Sequence, residues 1–283
     1  MKEIWRCIDS GNCDAAHNMA LDEALAVSVR SGSSPPVLRF YGWKTSSVTL
    51  GRFQKITDID LVFCREQGIP VVRRPTGGRA ILHDDELTYS FSARTDGDYF
   101  SGGLLRSYRN ISEACCQALQ RIGLQADAKK QRERGTVLAG SPLCFQSCSY
   151  GEMQVNSRKI VGAAQKRWAD GLLQQGSIPY VHNEELMLRI CKVTRDDLQR
   201  CMAGIRETMP ELDEVTLKNA LIAAFEDRFA VRLVSSSPSP AEIDQVQELL
   251  EQKYLHDAWN LTLPPRLESP LQGSAGFQTH NRS

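Results

Sequence analysis

The sequence predicts one α/β fold of the α+β kind, with helices packed on a β-sheet around a single large core. Three observations lead there. Strand-like runs and helix-periodic segments alternate through the first two thirds of the chain, and helical periodicity dominates the last third. Of the 283 residues, 41% are apolar, enough for one large core or one core with a small appendage. One folded domain is therefore expected over residues 1–260, followed by a mostly polar, flexible tail over 261–283.

Each element has its own signal. Residues 14–29 read as a helix, with Asp14 as N-cap and Met19, Leu21, Ala24, Leu25 and Val27 as its apolar positions; Asn18, Asp22 and Glu23 fall within it. Strands follow at 37–41 and 47–50, joined through Gly42-Trp43-Lys44 and closed by Gly51-Arg52. A helix over 58–67 precedes a strand over 69–73, and 86–93 alternates like another strand. Leucines, isoleucines and alanines at helical spacing predict a long helix over 104–122, after which 126–140 is a polar, charge-rich loop. Runs 152–155 and 160–165 flank a polar Asn156-Ser157-Arg158 tip, a hairpin signal that puts Lys159 where the second strand begins. Helices are expected at 183–189, 195–202, 215–229 and 241–254, the last just after Pro238 and Pro240, where proline suits a helix start.

Charge and cysteine usage exclude several classes. Lysine plus arginine and aspartate plus glutamate both number 34, so no global field draws the protein to nucleic acid or an anionic membrane. No stretch approaches the ~20 apolar residues of a membrane span, and Lys2, Glu3 and Arg6 sit where a signal peptide needs its apolar core. A cytoplasmic protein is expected. The nine cysteines are irregularly spaced and lack metal-knuckle spacing, which fits a reduced compartment and no metal site. Cys115, Cys116, Cys191 and Cys201 fall in helical stretches and read as small core residues.

The chemistry is concentrated in Arg73-Arg74-Pro75-Thr76-Gly77-Gly78-Arg79-Ala80-Ile81-Leu82-His83-Asp84. A strand that delivers two glycines to a turn lets backbone N–H groups approach an acyl or phosphate oxygen closely, because glycine has no Cβ and tolerates positive φ. Arginine adds a forked, permanent donor set and His83 can donate or accept from the far side of the turn. Strand, turn and strand would bring Arg73, Gly77 and His83 to one edge. Downstream, Cys144-Phe145-Gln146-Ser147-Cys148-Ser149-Tyr150, then Arg158-Lys159-Ile160-Val161-Gly162-Ala163-Ala164-Gln165, then Leu172-Leu173-Gln174-Gln175-Gly176-Ser177-Ile178 complete the pattern. Small residues beside Lys159 leave room for a ligand.

Together these segments resemble the biotin/lipoate protein ligase and acyltransferase superfamily. The Cys144 loop and the Asp257-Ala258-Trp259-Asn260 ending look most like its cysteine-dependent octanoyltransferases of lipoate assembly. The resemblance spans roughly residues 1–260 and implies a mixed, mainly antiparallel sheet flanked by helices. It also implies transfer of an octanoyl group, without ATP or another cofactor, from octanoyl-acyl carrier protein to a lysine of a lipoyl-domain or glycine-cleavage H-type protein. Cys144 matches the nucleophile of that family, and Lys159 matches the lysine that activates the thiol and stabilises the oxyanion. Arg73, Gly77, Gly78, Ala80, His83 and Gly162 are implied to position the acyl group or pantetheine, whereas Arg74 and Arg79 can instead meet an acidic carrier protein. The chain departs from the pattern at Cys148, where the family has proline, so Cys148 is a spectator, a redox partner of Cys144 or itself the nucleophile. Three rival activities are an ATP-dependent lipoate or octanoate ligase, octanoyl transfer between lipoyl domains, and acyl binding without catalysis.

Overall fold

Eight strands join in one sheet and three in another among residues 2–128, 153–191 and 193–263, which this computed structural model describes. In chain order the strands are β1 (Glu3–Cys13), β2 (Val37–Trp43), β3 (Ser47–Leu50), β4 (Val71–Arg73), β5 (Ile81–His83), β6 (Glu86–Arg94), β7 (Asp127–Ala128), β8 (Met153–Val155), β9 (Arg158–Arg167), β10 (Gly171–Pro179) and β11 (Val231–Ser235). The helices are α1 (Ala15–Arg30), α2 (Leu61–Glu66), α3 (Gly103–Arg121), α4 (Glu184–Cys191), α5 (Arg195–Cys201), α6 (Glu214–Phe229), α7 (Pro240–Leu249) and α8 (Asp257–Asn260). The large sheet runs β11, β1, β2, β6, β10, β9, β8, β7; the small one runs β4, β3, β5. In the large sheet β1 is parallel to both of its neighbours and every other pairing is antiparallel. The mixed, mainly antiparallel architecture is the one expected.

Helix α1 begins where Asp14 was expected to cap it, but the Asp14 carboxylate is 2.9 Å from Lys44 Nζ and makes no cap hydrogen bond. Helix α2 is shorter than the 58–67 expected, because Asp60 accepts from Phe63 N at 3.0 Å and starts the helix there. At the hairpin tip Asn156 and Ser157 both take positive φ, the two-residue turn that matches strand twist. Ser239 and Glu242 form the capping box of α7 just after Pro238, and the chain then continues through 250–254 as a widened helical turn.

Strands β1, β10 and β11 had no clear sequence signal. β1 lacks clean alternation because its register against β2 shifts between Asp9 and Asn12. β10 carries Gln174, Gln175 and Ser177 at buried positions, so the apolar periodicity that marks a strand is absent.

Three apolar clusters hold these layers. On one face of the large sheet, α3 and α6 pack around Trp5, Phe91, Phe100, Phe225 and Phe229, whose ring centroids lie 5.2–6.3 Å apart in successive pairs. Complete burial of each such ring is worth about 1.5–3 kcal/mol. On the other face, α1 packs with Val246, Tyr254 and the Trp43 ring. The small sheet, α2, α4 and α5 share the third cluster, which contains Ala80, Cys64 and Cys191. The cysteines of α3 and α4 thus lie in cores as expected, with Cys115, Cys116 and Cys191 buried, whereas Cys201 at the end of α5 is half-buried against the third cluster.

Candidate functional site

Helix α1 packs against strands of both sheets, and residues of α1 and of both sheets line a narrow cavity of about 20 Å³. Gly162, Ala164, Gly176 and Ser177 form one wall, Thr49, Ile81 and His83 another, and Met19, Tyr41, Trp43 and Gln175 close the rest. Small residues are required on β10: a Cβ at Gly176 would stand 2.1 Å from the Tyr89 ring. The volume is about that of one water molecule.

Above this cavity the glycine turn is built by Arg74. Its guanidinium donates to Gly77 O at 2.7 Å, to Arg79 O at 2.7 Å, and to Thr49 O and Oγ1 at 3.1 Å. Arg74 is therefore buried inside the turn, and only Arg79 of the two arginines offered to a carrier protein is partly exposed. Gly78 takes φ of +91°, a conformation open to glycine, and its carbonyl lies where a Cβ on Gly51 would be only 1.9 Å away. Gly77 is half-buried and Ala80 fully buried in the small-sheet core.

Arg73 is completely buried and serves the framework. Its guanidinium donates to Gly51 O and Gln54 O at 2.8 Å and to Trp259 O at 3.1 Å, while Trp259 Nε1 donates back to Arg73 O at 2.7 Å. Asn260 Oδ1 accepts from Arg73 N at 3.1 Å. The Asp257-Ala258-Trp259-Asn260 ending thus anchors the strand that leads into the glycine turn.

His83 lines the cavity with both ring nitrogens engaged. Nδ1–H donates to Glu86 Oε1 at 2.7 Å, Nε2 meets Thr49 Oγ1 at 2.8 Å, and the Trp43 ring stacks on the imidazole at 4.0 Å. Glu86 also accepts from Ser177 at 2.7 Å, Trp43 Nε1 at 3.2 Å and the Thr88 hydroxyl. Burial alone would push the Glu86 pKa up, but the His83 partner and these hydrogen bonds hold it below the usual carboxylate value.

Lys159 is buried at the second position of β9, its carbonyl accepting from Ala203 N at 3.0 Å. Gly162, three residues on, faces the cavity opposite Ser177. Cys144 and Cys148 lie outside the described residues. Burial pushes the thiols of Cys7 and Cys64 up to about 11, and those of Cys115 and Cys191 up to about 12; a nearby carboxylate adds to the effect at Cys7 and Cys64. Those four stay protonated and unreactive at neutral pH. No group of three or more metal-ligating side chains occurs among the described residues, and no helix there is long and apolar enough to cross a membrane.

Sequence reasoning placed Gly162 and His83 at the cavity but missed most of its wall. Met19, Tyr41, Trp43, Thr49 and Thr88 have no motif of their own. Gln175 and Ser177 stood inside a quoted motif, but the run Leu172-Leu173-Gln174-Gln175-Gly176-Ser177-Ile178 has no alternation that would have marked them as wall residues.

Comparison with known proteins supplies the family context. Residues 14–233 match the family model for the lipoyl protein ligase A/B catalytic domain. Octanoyltransferase LipM of Moorella thermoacetica is 35% identical over 267 residues, 91% of this chain and 97% of that protein. Octanoyltransferase LipM of Bacillus subtilis is 37% identical over 273 residues, 92% of this chain and 98% of that one. Among solved structures, a lipoate-protein ligase A bound with ATP superposes with a TM-score of 0.77 at 24% identity, covering 93% of this chain and all of that one. A bi-partite lipoate protein ligase from Thermoplasma acidophilum gives 0.76 at 23% identity over 94% of this chain. At these identities the two structures establish likeness of fold.

Proposed function

Since the chain belongs to the lipoyl protein ligase A/B catalytic domain family, with octanoyltransferase relatives along nine-tenths of its length, we propose that it loads octanoyl groups onto a lipoyl-accepting protein through an enzyme thioester. The chain is an acyltransferase of lipoate biosynthesis. Octanoyl-acyl carrier protein is the donor in this reading, Cys144 the nucleophile, and a lysine of a glycine-cleavage H-type protein the acceptor. The observation that carries it is the match to octanoyltransferases over almost the whole of both chains.

The chemistry needs no nucleotide. The Cys144 thiolate attacks the donor carbonyl, a new carbon–sulfur bond forms as the donor's breaks, and pantetheine leaves as a thiolate that takes a proton from water. The acceptor amine then attacks the enzyme thioester, an amide forms as the enzyme's carbon–sulfur bond breaks, the amine's proton passes to water, and Cys144 departs as thiolate. Exchange between thioesters is nearly balanced, while the amide lies downhill. In both steps the ammonium of Lys159 and the N–H groups of the Gly77-Gly78 turn stabilise the oxyanion. Gly162, Ala164 and Gly176 leave space for an unbranched chain, and each buried CH₂ contributes about 0.8 kcal/mol.

A second reading, an ATP-dependent ligase, is favoured by one observation: the solved neighbours of this fold include a lipoate-protein ligase bound with ATP. Mass spectrometry separates the two. With octanoyl carrier protein and no nucleotide, the wild-type chain should gain one octanoyl group that hydroxylamine removes; Cys144→Ala should gain none and Cys148→Ala should still gain it. Labelling that appears only with ATP and free octanoate would establish the ligase instead. Labelling lost in Cys148→Ala but kept in Cys144→Ala would move the nucleophile.

A further inference from the structure

Behind the cavity lies a buried polar relay that the reaction as described does not use. Asp22 is fully buried on α1, and its carboxylate is saturated with donors: Arg39 Nη1 at 2.7 Å and the Ser90 hydroxyl at 2.6 Å on one oxygen, the Tyr41 hydroxyl at 2.8 Å and Gln175 Nε2 at 2.7 Å on the other. A carboxylate only accepts, so the amide of Gln175 has one allowed orientation, nitrogen toward Asp22. Its oxygen then faces the glycine turn and accepts from the Thr76 hydroxyl at 2.7 Å. Thr76 immediately precedes Gly77, and its carbonyl accepts from Arg52 N at 2.9 Å. The relay thus crosses from α1 through β10 to the turn, joining the two sheets at the cavity that Gln175 lines.

We propose that Asp22 and Gln175 are positioning residues for acyl transfer: Asp22 fixes the amide of Gln175, and Gln175 seats Thr76 so that the glycine turn meets the acyl carbonyl at one place. This rests on the reading that the Gly77-Gly78 turn faces that carbonyl. Hydrogen-bond donors aimed at a developing oxyanion lose much of their value when displaced by a fraction of an ångström, whereas binding of the octanoyl chain depends on apolar contacts along the same cavity, not on the Gln175 amide. Loss of the relay should therefore lower kcat and leave KM for the octanoyl donor nearly unchanged.

The relay can be broken and rebuilt. Gln175→Glu sets two acceptor-only carboxylates against each other, and kcat should fall about 30-fold. Because a protonated carboxyl again offers one donor and one acceptor, that loss should shrink as pH falls, unlike the wild-type profile. Asp22→Asn removes the buried counter-charge of Arg39, leaving it neutral acceptors such as Asn18 Oδ1, and should lose at least about tenfold in kcat. Combining Asp22→Asn with Gln175→Glu reverses the donor sense between the two positions, keeps one negative charge in the relay, and keeps an acceptor for Thr76. The double variant should return to within about threefold of wild-type kcat, an interaction well above simple addition. Thr76→Ser should retain activity, and Gln175→Glu should cost nothing further on Thr76→Val.

A double variant no better than its poorer parent, losses carried by KM, or a Gln175→Glu profile parallel to wild type would each overturn the inference while octanoyl transfer by the wild-type chain stands. Should single variants at 22 or 175 fail to fold, the Thr76→Ser and Thr76→Val pair decides alone, since equal kcat values for the two would sink the relay. A wild-type chain that transfers no octanoyl group from any donor removes both the function and this role.

Discussion

Glu86 shows how a single buried charge can be made stable and what it then controls. It receives donors from His83, Trp43, Thr88 and Ser177, so its charged form is held by partners on both sheets. Its folded-state pKa lies below the ordinary value of 4.5, so the stability it contributes is complete above that value and is lost as pH falls through the lower folded value. Glu86→Gln is nearly isosteric but removes the charge opposite His83; it should cost about 3 kcal/mol at neutral pH and flatten the fall of the urea midpoint below pH 4.5. An unchanged acid limb would assign that fall to other carboxylates. Little of this was legible in the sequence: His83 was singled out, whereas Glu86 read only as the start of an alternating strand. Pairing of a histidine with a carboxylate three residues on depends on a strand-to-strand step that spacing alone does not reveal.

At the level of elements, the glycine turn is held from two sides. Arg74 binds its carbonyls from within, and Gly51 at the end of β3 lets it approach because no Cβ intervenes. Gly51→Ala would place a methyl 1.9 Å from Gly78 O, and backbone on one side or the other must shift. The expected result is a fall of about 100-fold in octanoyl transfer with a stability loss of about 1–3 kcal/mol, read by single-turnover acylation beside thermal unfolding. Activity that survived intact would mean that the turn is not where the carbonyl binds. The sequence made the turn legible through its paired glycines, and it made α1, α3, α6, β3 and the hairpin legible through periodicity and punctuation. It did not expose β10, because burying glutamines in mid-strand inverts the usual signal and becomes intelligible only once Asp22 and Thr76 are seen to satisfy Gln175, and Tyr89 and Gln165 to satisfy Gln174.

Across the whole molecule, parts remote in sequence complete one another. Strand β1 is clasped between β2 and β11, and Trp259 reaches back to Arg73 while its ring carries Arg52 at 4.1 Å and Lys253 at 3.9 Å. Trp259→Ala should cost about 2–4 kcal/mol. In hydrogen exchange, residues 51–54, 71–73 and 257–260 should lose protection together, as one local opening unit. If only 257–260 opened, the ending would be an ornament and the turn would stand without it.

The clasp between Arg73 and Trp259 also sets a schedule during translation. The two residues are 186 positions apart, so at elongation speeds of about 5–20 residues per second the first waits roughly 10–40 s on the ribosome for the second. For that interval the glycine pair has emerged but its support has not been made. Until Trp259 is made, Arg73 lacks the partner that holds the strand leading into the turn.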